Sequence, residues 1–92
     1  MGNAVCTLRI MPTSPDVDLA ILEKEALSAV KVFNGGKDTK VDVQPIAFGL
    51  KAVNIMFVMD ENQGNPDAIA EKVATIEGVN SAEITDVRRA IG

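Results

Sequence analysis

Apolar and polar positions alternate from Ala4 to Met11. Ala4, Cys6, Leu8 and Ile10 fall on one side, and Val5, Thr7, Arg9 and Met11 on the other, the period-two pattern of a strand with one buried face. Pro12-Thr13-Ser14-Pro15 interrupts it, and Asp16 and Asp18 follow as candidate helix N-caps. The period then changes: Leu19, Leu22, Ala26, Ala29, Val30 and Phe33 lie on one stripe of an amphipathic helix. Asn34-Gly35-Gly36 ends that helix, because Asn and Gly accept a left-handed C-terminal cap. Lys40–Gln44 alternates again as a short strand whose charges suit a sheet edge, and Pro45 closes it. Leu50–Met59 is the longest apolar run and reads as a central strand covered on one face and partly on the other. Residues 60–64 form a polar loop. Asn65-Pro66-Asp67 is a helix start, with Asn65 as N-cap and Pro66 in the first helical position. Ile69, Val73 and Ile76 supply the buried stripe of this second helix, and Gly78 its C-cap. A last strand is expected over Val79–Val87, with Ala82 and Ile84 on one face and Arg88-Arg89-Ala90-Ile91-Gly92 as a basic tail.

Strand, helix, strand, strand, helix, strand is the βαββαβ order of the split βαβ, ferredoxin-like plan. It predicts an α+β sandwich in which a four-stranded antiparallel sheet carries both helices on one face. Right-handed crossovers force the helices to that common side and leave the other side of the sheet open. At 92 residues the chain is expected to build one core, a single domain over 1–92. The plan hosts many unrelated functions, so chemistry must come from particular residues.

Composition removes much of that chemistry. There is no His, Trp or Tyr and one cysteine, Cys6. Histidine-based nucleophile activation, imidazole metal sites, thiolate zinc cages and CxxC redox pairs are therefore excluded. The net charge is −4 and only 3% of residues are aromatic, a poor match to nucleic-acid phosphates or to base stacking. A lone cysteine fits a reducing, cytoplasmic setting. No apolar run is long enough to span a bilayer, and no charged-then-apolar leader stands at the start. Neither a cofactor nor a metal is expected. The acidic pairs Asp16/Asp18 and Asp60/Glu61 lack the spacing of a calcium loop and read as caps and solvated loop. Gly35-Gly36-Lys37 lacks phosphate-loop spacing and follows a helix rather than a strand.

Two segments stand out as candidate contact sites. In Gln44-Pro45-Ile46-Ala47-Phe48-Gly49-Leu50-Lys51 an aromatic sits in a strand connection beside a cation. Phe48 either tucks under the sheet edge or projects as an apolar anchor. In Asp86-Val87-Arg88-Arg89 two guanidinium groups stand at the strand end. They are either a solvated terminus or a cationic finger for a partner's carboxylates or phosphates. The open sheet face, through Val5 and Met11, is a third candidate as an apolar patch.

Three stretches together, IMPTSPDVDL at Ile10–Leu19, VQPIAFGLKAVNI at Val43–Ile55 and VNSAEITDVRRAI at Val79–Ile91, resemble the archaeal translation elongation factor 1-beta family. They are more distantly similar to the C-terminal exchange domain of the eukaryotic beta subunit. The resemblance covers nearly the whole chain. It implies a guanine-nucleotide-exchange domain that binds elongation factor 1-alpha in its GDP-bound and nucleotide-free forms and speeds GDP loss. Such a domain is expected to perform no covalent chemistry of its own; with the composition above, no direct contact with nucleic acid or membrane is expected, and a monomer is the simpler expectation. The surface the resemblance implies is the turn with Pro45, Phe48, Gly49 and Lys51 together with Asp86, Arg88 and Arg89. In the eukaryotic relatives a lysine near the C-terminus intrudes at the magnesium site. Here no lysine follows Lys72; either Arg89 or Arg88 supplies the cation from a slightly earlier position, or the mechanism lacks that intrusion. The alternatives on the same plan are an RNA-binding module, a small phosphatase or metal carrier, and a dimeric regulatory module. The first needs aromatics on the central strands, where only Phe57 stands. The enzyme and carrier lack their phosphate cradle and CxxC.

Overall fold

The computed structural model describes residues 2–90. The first strand, β1 (Asn3–Pro12), buries Ala4, Cys6, Leu8 and Ile10 as the alternation requires. It lies in the middle of a four-stranded sheet with β3 (Lys51–Asp60) on one side and β4 (Val79–Ala90) on the other. The edge strand β2 (Thr39–Pro45) pairs with β3, which gives the order β2-β3-β1-β4 with every pairing antiparallel. Helices α1 (Leu19–Asn34) and α2 (Asp67–Val73) cover the Cys6 face. Leu22, Ala26 and Val30 of α1 and Ile69, Ala70 and Val73 of α2 join one cluster with the inward residues of β1 and with Val53, Ile55, Phe57 and Met59 of β3. This is the α+β arrangement expected from the element order. No described helix is long and apolar enough to cross a membrane.

Local signals set some of the helix ends, and packing overrules others. Asp18, rather than Asp16, caps α1, its carboxylate accepting from the Ala20 and Ile21 amides. Before α2, the Asn65 side chain accepts from the Asp67 amide, although the cap position falls on Pro66. Gly78 does not cap α2. That helix stops at Val73, with Ala74 as its C-cap. Gly78 instead adopts φ +92° where the chain enters β4, and a Cβ there would meet Val17 Cγ1 at 3.2 Å. The polar loop at 60–64 contains a turn of 3₁₀ helix over Glu61–Gln63, capped by Asp60. At the far end, β4 runs on through Ala90, so Arg88 and Arg89 are strand residues rather than a tail. Pairing of Ala4 with Arg89 and Val5 with Arg88 holds them in the sheet. The expected tail residues Ile91 and Gly92 lie outside the described residues.

Asn34 is the one polar side chain of the described core, fully buried at the end of α1. Its amide donates to the carbonyls of Val58 (2.9 Å) and Lys37 (3.3 Å), and its oxygen accepts from the Gly36 amide (3.1 Å). One side chain thus ties the helix exit, the Gly35-Gly36 turn and β3. Replacing Asn34 with Ala leaves these backbone groups without partners. It is expected to destabilise the protein by about 2–3 kcal/mol, a fall in Tm on the order of 10 °C for a domain this small, measured by thermal denaturation.

Candidate functional site

The hairpin between β2 and β3 projects from the sheet. Ile46 donates its amide to the Leu50 carbonyl (2.8 Å), and Leu50 donates to Ala47 (3.1 Å). The two residues inside that turn, Phe48 and Gly49, have φ of +59° and +77°. Positive φ at both centres matches the right-handed strand twist but favours Asn or Gly. Phe48 is the only residue other than glycine with positive φ among those described, a conformation that costs about 1–2 kcal/mol for a residue with a side chain. It is also 93% exposed. The other two phenylalanines of the chain pack edge to face, Phe33 against Phe57, with ring centroids 6.2 Å apart. Burying Phe48 would gain roughly 1.5–3 kcal/mol. The chain instead strains its backbone to hold this ring in water.

Pro45 and Lys51 pair across the base of the hairpin, and both are exposed. The segment after β1 closes against the same place. Gly49 approaches Pro15, where an added Cβ would sit 3.8 Å from Pro15 Cβ. Pro12, Ser14, Pro15, Leu19, Gly49 and Lys51 line a cleft of about 150 Å³. Two of the segments that carried the sequence resemblance are therefore one surface. Neither alternation nor spacing signals that convergence. It follows from the antiparallel pairing of β1 with β3, which puts the exit of one beside the entry of the other.

The arginines occupy a different place. Between Thr7 and Leu8 of β1 the partner on β4 jumps from Asp86 to Ile84, so Thr85 is an inserted residue, its hydroxyl 3.5 Å from the Thr7 carbonyl. A bulge shifts strand alternation by one. Ala82 and Ile84 face the helices and pack against the core. Without the bulge Asp86 and Arg88 would follow them. With it, Val87 and Arg89 lie on the helix side, while Asp86 and Arg88 lie on the open face. Each guanidinium is held through Nε by its own carboxylate, Arg88 by Asp86 at 2.8 Å and Arg89 by Glu61 at 2.7 Å. Their side chains remain 80% and 78% exposed.

The hairpin and the arginines stand at opposite ends of the sheet. Lys51 opens β3, whereas Met59, at its other end, pairs with Ala4, which pairs with Arg89. At about 3.3 Å per residue the two groups are roughly 25 Å apart, in a body 42 Å long. The residues expected to form one contact surface are thus two separated groups.

The remaining candidates resolve as structural. Asp60 caps the 3₁₀ turn and Asp18 caps α1. Gly35 and Gly36 make the exit of α1 with φ of +70° and +81°. Cys6 is fully buried. Burial, and then the nearby Asp86 carboxylate, push its thiol above the ordinary value, so it is held as an unreactive core residue. On the open face Val5 pairs with Val58, both half-buried, and a groove of about 330 Å³ nearby is lined by polar residues such as Arg9, Asp42, Gln44 and Asn54 together with Met56. Phe57, the aromatic of the central strands, points into the core at 1% exposure.

Comparison with known families decides the assignment. Residues 5–90 match the EF-1 guanine nucleotide exchange domain. The chain belongs to that family. Among similar exchange-domain proteins, elongation factor 1-beta of Methanothermobacter thermautotrophicus is 46% identical over 89 residues, covering 97% of this chain and 98% of the relative. The protein of the same name from Methanobrevibacter smithii is 42% identical over 92 residues at 97% and 98% coverage. That of Archaeoglobus fulgidus is 40% identical over 89 residues at 95% and 97% coverage. The likeness to the solved structure of BlrP1 BLUF (TM-score 0.58, 10% identity, all of this chain and 57% of that one) is a likeness of fold alone. The family match takes in both the Phe48 hairpin and the Arg88-Arg89 strand end.

Proposed function

We propose that this domain, acting over 1–92 as one unit, promotes GDP release and GTP reloading on elongation factor 1-alpha and so supports delivery of aminoacyl-tRNA. It binds that GTPase at two separated points. Phe48 inserts into an apolar recess, with Pro45, Gly49 and Lys51 shaping the hairpin that carries it. Roughly 25 Å away, Arg89 or Arg88, oriented by Glu61 or Asp86, addresses carboxylates or phosphate oxygens that hold the nucleotide and its magnesium. The observation that carries this reading is the strained, 93% exposed Phe48, an anchor held ready for a partner. Family membership supplies the partner class.

No bond is made or broken by the exchange factor itself, in keeping with a chain that has no histidine and whose cysteine is buried. None is needed. A protein that binds the nucleotide-free GTPase more tightly than the GDP form weakens GDP binding by the same factor. The factor works as a cytoplasmic monomer without direct contact to nucleic acid. An RNA-binding reading is disfavoured by the inward Phe57, since base stacking requires an aromatic on the open face.

The test is release of a fluorescent GDP analogue from archaeal elongation factor 1-alpha, with excess GTP, across a titration of this protein. Acceleration at substoichiometric amounts is expected. An active GTPase and a folded domain with no acceleration overturn the reading.

A further inference from the structure

We propose that Glu61 is a positioning residue for exchange, fixing Arg89 so that its outer guanidinium edge meets the partner; this rests on the exchange reading above. The Glu61 carboxylate takes Arg89 through Nε at 2.7 Å. A guanidinium bound at Nε has its terminal nitrogens left to form a second, two-pronged contact. Arg89 is 78% exposed, but the Glu61 side chain is only 30% exposed. The acid is the fixed member of the pair and the arginine the presented one.

Three features hold Glu61 in place. Its amide donates to the Gly2 carbonyl at 3.1 Å. Asp60 caps the 3₁₀ turn in which it sits. Its carboxylate lies over Gly2, where an added Cβ would come within 3.0 Å of Glu61 Cδ and Oε1. A methyl at position 2 would therefore displace the carboxylate slightly from this seat. Around the pair, Ala4, Met59, Asn62, Gly64, Pro66 and Val87 complete a cleft of about 470 Å³ on the helix side of the sheet end. The carboxylate comes from the β3–α2 connection, so it braces Arg89 from outside its own strand. Asp86 braces Arg88 only from within β4 and is itself 46% exposed. The braced arginine is therefore Arg89.

The test measures GDP-analogue release from elongation factor 1-alpha with the wild type, Glu61→Ala, Glu61→Gln, Gly2→Ala, Arg89→Ala and the Arg89→Ala/Glu61→Ala double variant. Glu61→Ala is expected to lower the maximal rate about three- to fivefold, the scale of one partly exposed ion pair, with little change in half-saturating concentration. Glu61→Gln restores part of the rate because its carbonyl still accepts from Nε. Gly2→Ala reproduces part of the loss without touching either charge. In the Arg89→Ala background Glu61→Ala does nothing further, because its effect passes through Arg89. An undiminished rate in folded Glu61→Ala, beside an impaired Arg89→Ala, overturns the inference. So does an equal loss in both backgrounds, the mark of a general structural role. A wild-type protein that accelerates nothing overturns the exchange reading itself and is told apart by that first measurement.

Discussion

Phe48→Gly is expected to leave the fold as stable as the wild type, or more stable by up to about 1 kcal/mol, while weakening productive engagement of the GTPase by roughly 10–30-fold. The stability side follows from φ of +59° at Phe48. Glycine relieves about 1–2 kcal/mol of left-handed strain and gives back part of this through the greater freedom of the unfolded chain. No packing is lost, because the ring is 93% exposed. The functional side follows from the size of aromatic anchors at interfaces, where truncation typically costs about 2 kcal/mol or more, and about 1.4 kcal/mol is a factor of ten. Melting curves and the concentration dependence of GDP release together decide it. A lower Tm with unchanged exchange would show the residue to be structural. Phe48→Ala separates the two contributions further, since it removes the ring and keeps the strain. It should match the glycine variant in exchange but not in stability.

Arg89→Ala is expected to slow maximal GDP release by about 10–100-fold, the worth of a charge-assisted, two-pronged contact. Stability should move by less than about 1 kcal/mol, because the Arg89 side chain is 78% exposed and the carboxylate it leaves behind keeps access to water. Arg89→Lys keeps the charge but not the planar fork and should recover only part of the rate. Strand alternation sets the two arginines on opposite faces and the Thr85 bulge decides which face each takes, so a partner seated against one face distinguishes them. Arg88→Ala is expected to have the smaller effect. Full exchange activity in a folded Arg88→Ala/Arg89→Ala protein would remove the arginines from the mechanism.

The candidate site was legible in the sequence to an uneven degree. An aromatic between Pro45 and Lys51 was conspicuous because loops disfavour phenylalanine, yet the letters allow it to point inward or outward. The direction is decided by the tight hairpin, whose hydrogen bonds through Ile46, Ala47 and Leu50 leave the ring no route to the core. Glu61 and Gly2 were not legible as site residues at all. They meet Arg89 only because β1 and the β3–α2 connection bring residues far apart in sequence to one sheet end. The placing of Arg88 and Arg89 on opposite sides was expected of any continuing strand, but which side each takes depends on Thr85, and a bulge has no sign in the alternation of Ala82, Ile84 and their neighbours.

By itself the sequence determined the element order, the inward faces of β1 and α1, the open side of the sheet and a composition without histidine and with a single cysteine. These depend on local periodicity and composition, which burial of apolar side chains enforces directly. Tertiary structure alone decided that Asn34 is a buried latch, that α2 ends before Gly78 and that β4 carries its arginines within the sheet. It also decided that the hairpin and those arginines lie roughly 25 Å apart. Such features depend on register and on contacts between distant segments, where one inserted residue reverses a face and antiparallel pairing sends two strand ends in opposite directions.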